Sequence, residues 1–140
     1  MIHRGTCHCR AIGFAYETSL APPDWPMRAC ACRFCRSHGA ATTSDPHGAL
    51  ELACRDPDQL VRYRFGLGTA DFLICRTCGV YLAAITADGR FGLINTNALA
   101  DRPAELPPPQ AMAYDGETAS GRTARREQRW TPVRAAGDRP

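Results

Sequence analysis

The chain has 140 residues, enough for about one domain, with 44% hydrophobic and 22% charged side chains and a formal net charge of +3. All 17 of its cationic side chains are Arg; up to residue 116, 11 Arg balance 11 acidic residues, and beyond it 6 Arg face 3. The body therefore lacks the broad basic field that nucleic-acid binding needs, and no apolar run of about 18 residues exists to span a membrane.

Met1-Ile2-His3-Arg4 runs almost directly into Cys7-His8-Cys9. That leaves no room for a secretory leader and predicts a cytoplasmic setting, where reduced thiols favour metals over disulfides. Residues 11–16 predict the first strand. Pro22, Pro23 and Pro26 stiffen the loop after it. Residues 28–32 predict a strand entering Cys30-Ala31-Cys32-Arg33-Phe34-Cys35, and residues 33–38 a single helical turn. Asp45-Pro46-His47-Gly48 predicts a turn between extended segments 40–43 and 49–54. Residues 60–65 alternate apolar and basic, the pattern of a half-exposed strand. Residues 70–74 lead into Cys75-Arg76-Thr77-Cys78-Gly79 and residues 81–86 leave it. Asp88-Gly89 then turns the chain into a strand over 90–95.

Pro103 to Pro109 is proline-rich and closes a β domain over residues 1–102. Residues 103–140 read as a Pro-rich linker and an Arg-rich segment that packs on this domain or is partly flexible. A helix over 117–130 would set Arg122, Arg125, Arg126 and Arg129 on one face. That face is a solvated or salt-bridged one, or else an anion-binding stripe for ligand carboxylates or a subunit partner. Gly121 weakens the helix.

Seven of the eight cysteines fall in the three clusters. A disulfide needs α-carbons about 4.4–6.8 Å apart, and close sequence neighbours pair poorly. A metal needs sulfurs that converge, which short spacings supply. In extended segments Cys7 and Cys9 would face one side, as would Cys30 and Cys32. Cys75-x-x-Cys78-Gly79 has the form of a zinc knuckle, with Gly79 free to take a left-handed backbone. Joining Cys7 and Cys9 to Cys75 and Cys78 makes a closed structural zinc site, with iron as the alternative metal. Cys30, Cys32 and Cys35 then make a second, three-thiolate site with one ligand position free. Three thiolates on Zn²⁺ carry a formal charge of −1, which suits exchange of another soft thiolate better than hydrolysis.

Gly5-Thr6-Cys7-His8-Cys9, Cys30-x-Cys32-x-x-Cys35-Arg36 with Gly39, and Phe72-x-x-Cys75-x-x-Cys78-Gly79 together resemble the glutathione-dependent formaldehyde-activating enzyme family, which includes centromere protein V. The resemblance runs from about Gly5 to Asp101. It implies a mainly β fold, with small antiparallel sheets folded around two zinc ions. It also implies that Cys7, Cys9, Cys75 and Cys78 ligate a structural zinc and that Cys30, Cys32 and Cys35 ligate a catalytic one. The activity it implies joins glutathione to formaldehyde as S-hydroxymethylglutathione, a carbon–sulfur lyase reaction. The partners are then a small thiol and an aldehyde, with no membrane and no nucleic acid; a homo-oligomer is left open. One departure is Arg10, where the family usually has Gly.

The remaining candidates have a plain reading and a sharper one. Cys54 reads as a small core residue, or as the fourth ligand of the second site. His38 reads as a surface histidine, or as a ligand or proton shuttle one helical turn from Cys35. His8 points away from the flanking sulfurs in an extended segment. Arg10, Arg33, Arg36 and Arg76 are exposed, or offset the charge of the thiolates. Thr42, Thr43 and Ser44 are hydroxyls near the middle cluster. The alternative function is a non-catalytic, zinc-stabilised binding module that uses the Arg-rich C-terminal segment.

Overall fold

The computed structural model describes residues 1–137; the final three, the end of the predicted Arg-rich segment, lie outside the described residues. The strands are β1 (Ile2–Thr6), β2 (Gly13–Glu17), β3 (Arg28–Cys30), β4 (Thr42–Thr43), β5 (Ala49–Leu52), β6 (Leu60–Tyr63), β7 (Ala70–Cys75), β8 (Tyr81–Thr86), β9 (Phe91–Asn95), β10 (Gln110–Met112) and β11 (Thr131–Arg134). The helices are α1 (Arg33–Ser37) and α2 (Ala119–Arg129). The fold is mainly β, as expected, and its pairings are antiparallel except for β10 with β3 and β11 with β5.

Strand β9 organises the sheet. Along one edge it pairs with β8 from Ala83↔Ile94 to Ile85↔Gly92. Its other edge is shared: β4 takes Asn95 and Ile94, and β11 takes Gly92 and Phe91. From β8 the sheet continues through β7 to β6. From β11 it continues through β5 and β2 to β1. From β4 it continues through β3 to β10.

The core follows from this central position. Every residue of β8, Tyr-Leu-Ala-Ala-Ile-Thr, is buried, because the strand is covered on both faces. Tyr16, Leu50, Leu73, Leu82 and Ile94 have no exposed surface, each contributing roughly 1.5–3 kcal/mol of burial. Gly5 lies opposite Phe14 in the β1–β2 hairpin, and a Cβ there would strike the Phe14 ring.

The C-terminal segment is tied into the same body. Ser44 Oγ donates to the Arg129 carbonyl at 2.7 Å, and the Asp45 N–H donates to Thr131 Oγ1 at 2.9 Å. Asp45 itself is buried but satisfied, accepting from Thr18 Oγ1 at 2.6 Å and from the His47 N–H at 2.9 Å. These contacts fix α2 beside β3 and β4, and so beside the middle cysteine cluster.

Candidate metal centres and the adjoining cavity

Cys7 opens the turn between β1 and β2. Its N–H donates to the Ile12 carbonyl at 3.0 Å, and the Arg10 N–H donates back to the Cys7 carbonyl at 3.1 Å. Arg10 closes this turn with φ 67°, the only non-glycine residue with positive φ among those described. Cys7 and Cys9 therefore converge around a turn, not along an extended strand as their spacing suggests. Cys75 to Gly79 forms the expected knuckle, with the Gly79 N–H on the Cys75 carbonyl at 2.9 Å and Gly79 at φ 76°.

The sulfurs of Cys7, Cys9, Cys75 and Cys78 lie within 4.8 Å of one another. Cys7 and Cys9 are 3.6 Å apart, and Cys9 and Cys75 are 3.5 Å apart. Four sulfurs about 2.3 Å from a zinc ion form a tetrahedron with edges of about 3.8 Å, so this set fits zinc. The N–H groups of Ile12 and Cys78 donate to the Cys7 and Cys75 sulfurs, each at 3.5 Å.

The second set is local. Cys30 ends β3, Cys32 caps the N-terminus of α1, and Cys35 is buried within α1. Their sulfurs also lie within 4.8 Å of one another, and the Cys35 N–H donates to Cys32 Sγ at 3.4 Å. A hydrogen bond from Cys35 holds the Cys30 thiol down at about 5, and the same bond, followed by burial, pushes Cys35 far up. Three sulfurs this close cannot all ionise without a cation, and a soft one such as zinc suits three thiolates. Tyr81, packed with Cys35 and Ala40, is pushed well above the usual phenol range by burial and then by these sulfurs.

Other candidates stand apart. Cys54 is half-buried against the main core and joins neither sulfur group. His38 is exposed at the C-cap of α1, its ring 4.6 Å from Phe34 and 5.5 Å from Tyr81, and it joins neither group. His8, Arg10, Arg33, Arg36 and Arg76 are exposed. Thr43 Oγ1 and Ser44 Oγ donate to the carbonyls of Pro26 and Arg129.

A cavity of about 490 Å³ adjoins the second set; Cys30, Cys32 and Cys35 line it together with Arg28, Arg126 and Trp130. Part of the wall is aromatic, with Phe72 and Tyr81 packed 4.8 Å and 5.0 Å from Phe34. The four helix arginines do not form one solvated stripe. Glu117 is gripped by Arg122 at 3.1 Å and by Arg125 at 2.8 and 3.0 Å, and Arg125 stacks 3.8 Å above the Tyr114 ring. Arg126 is buried, and Arg129 is exposed.

A family model described as glutathione-dependent formaldehyde-activating enzyme matches residues 2–116. The chain belongs to this family. A crystal structure of a Rhodobacter sphaeroides protein is similar, with 29% identity over 78% of this chain and 99% of that one and a TM-score of 0.59. The span matched by the formaldehyde-activating family includes all seven clustered cysteines and stops before α2. Arg126 and Trp130, which help line the cavity, thus come from beyond the family match. Cavity residues that sequence reasoning passed over are Arg28 and Tyr81, which carry no local motif, and Trp130, which follows directly on α2. No described helix is long and apolar enough to cross a membrane.

Proposed function

We propose that Cys7, Cys9, Cys75 and Cys78 hold a structural zinc ion, and that Cys30, Cys32 and Cys35 hold a second with one position left for a small thiol such as glutathione. The reaction is addition of that thiol to formaldehyde or a related aldehyde, giving an S-hydroxymethyl adduct of the carbon–sulfur lyase class. The observation that carries this reading is the cavity: it adjoins a thiol set that numbers three among the described residues. Zinc bound there supplies a soft Lewis acid that lowers the pKa of an incoming thiol.

The chain's own residues do the rest. Phe65, Phe72 and Trp130 give the cavity apolar walls that limit water. Tyr81 stays protonated, so its hydroxyl is a hydrogen-bond donor and not a base. Holding both reactants in one cavity makes their encounter effectively unimolecular. A carbon–sulfur bond forms at the aldehyde carbon, the carbonyl π pair moves to oxygen, and the proton lost by the thiol ends on that oxygen.

Formaldehyde consumption with glutathione, followed by stopped flow, tests the proposal. The zinc-loaded parent should exceed the uncatalysed rate, and Cys32→Ser should return to it while keeping one zinc. No acceleration by the parent with any of several small aldehydes would remove the enzymatic reading.

A further inference from the structure

Arg126 is 7% exposed, yet no acidic side chain pairs with it among the described residues; its neighbours Arg122 and Arg125 are the ones that hold Glu117. Its Nη1 donates to the neutral Thr69 Oγ1 at 2.7 Å, and its guanidinium lies 4.6 Å from the Trp130 ring centroid. The buried Nε–H has no partner. Burial, and then repulsion from Arg125 and Arg122, lowers its pKa to about 10. A buried guanidinium is costly unless an anion meets it. Arg126 lines the cavity, and with Nη1 engaged its guanidinium keeps further donors for a charge-assisted hydrogen bond to a carboxylate there.

A second cation faces the same cavity. Arg28 is half-buried, and among the described residues its side-chain partner is the Ser44 hydroxyl at 2.9 Å. Asp115, exposed at the cavity, forms no ion pair with either arginine among the described residues. Three thiolates around Zn²⁺ carry a formal −1, which answers one guanidinium and leaves the other.

We infer that Arg126 and Arg28 receive a carboxylate borne by one of the two reactants, so that the cavity selects an anionic substrate. The inference rests on the thiol–aldehyde reading for what the ligand does, but the anion site can be tested without it.

Calorimetry on the zinc-loaded full chain separates the terms. S-methylglutathione carries carboxylates but no free thiol, glyoxylate carries its carboxylate on the aldehyde, and 2-mercaptoethanol is a thiol without one. At least one of the two anions should bind the parent and bind Arg126→Gln at least about tenfold more weakly, as loss of a charge-assisted contact requires. Arg28→Gln should weaken the same anion and carries the test if Arg126→Gln does not fold. Which anion binds assigns the carboxylate to the thiol or to the aldehyde. If Arg126 were instead a structural cation, Arg126→Gln would melt lower or lose zinc; an anion receiver predicts two zinc ions and an undiminished melting temperature without ligand. Absence of binding by both anions, or equal affinity in the parent and both variants, overturns the inference. Failure of 2-mercaptoethanol to bind the parent strikes the thiol reading alone.

Discussion

Cys9 and Cys75 are 66 residues apart in sequence and 3.5 Å apart at their sulfurs. The contact brings the β1–β2 turn onto the β7–β8 turn. A zinc ion on four such thiolates is worth roughly 10–16 kcal/mol in zinc-finger peptides, against about 5–15 kcal/mol for a whole domain. Chelation of both metals, or Cys75→Ser, should abolish the cooperative thermal transition seen by circular dichroism. Cys32→Ser should lose one zinc by elemental analysis and still melt cooperatively. A parent that melts unchanged after zinc removal would contradict the structural role.

Arg10 takes φ 67° in the turn that carries Cys9. A residue with a Cβ pays about 1–2 kcal/mol in this region, and glycine does not, although glycine loses more entropy on folding. Arg10→Gly should therefore raise unfolding stability by about 0.5–1 kcal/mol, measured by denaturant titration. A loss instead would show that the guanidinium offsets the thiolate charge.

Much of the sheet around the knuckle is legible in the sequence. Tyr81–Thr86 is a short, mostly apolar run between turn signals, and it is β8 to the residue. The single turn of α1 follows the Cys32-to-Cys35 spacing, and the Gly89 turn follows Asp88-Gly89. Other elements lack a local signal. β1 mixes His3, Arg4 and Gly5 without alternation. β10 is three residues long and follows prolines. β11 contains Pro132, which argues against an inner strand; it fits here because its first half pairs with β9 and its second half with β5. The two sulfur groups are readable because each cysteine cluster is local in sequence. The cavity is not, since Arg28, Tyr81 and Arg126 meet only through the sheet.

Gly5 faces the Phe14 ring across the β1–β2 hairpin with no room for a methyl group. Gly5→Ala should cost about 1–3 kcal/mol through overpacking. Thermal unfolding reads the loss, and pairing it with Phe14→Leu should recover part of it. An unchanged melting temperature in Gly5→Ala would contradict the packing.

Hydrogen bonds from Arg125 and then Arg122 hold the Glu117 carboxyl below the usual carboxylate range. A lowered acid pKa gives stability that is complete above the unfolded value and is lost as the pH falls through the folded one. The Glu117 side chain is 24% exposed, so solvent limits the effect to about 1 kcal/mol. The stability difference between parent and Glu117→Gln should be present at neutral pH and vanish on acidification; zinc release, common to both, cancels. A difference that does not change with pH would contradict the ion pairs.

On the proposed reading Cys30, Cys32 and Cys35 offer three sulfurs, not four, to one metal ion. Cobalt substituted at this site reports its ligands through its visible and sulfur charge-transfer bands. Glutathione added to the cobalt-loaded parent should increase the thiolate charge-transfer band by the equivalent of one sulfur, and Cys32→Ser should show no such change. A spectrum already that of a closed four-ligand protein site, and unmoved by glutathione, would contradict the account.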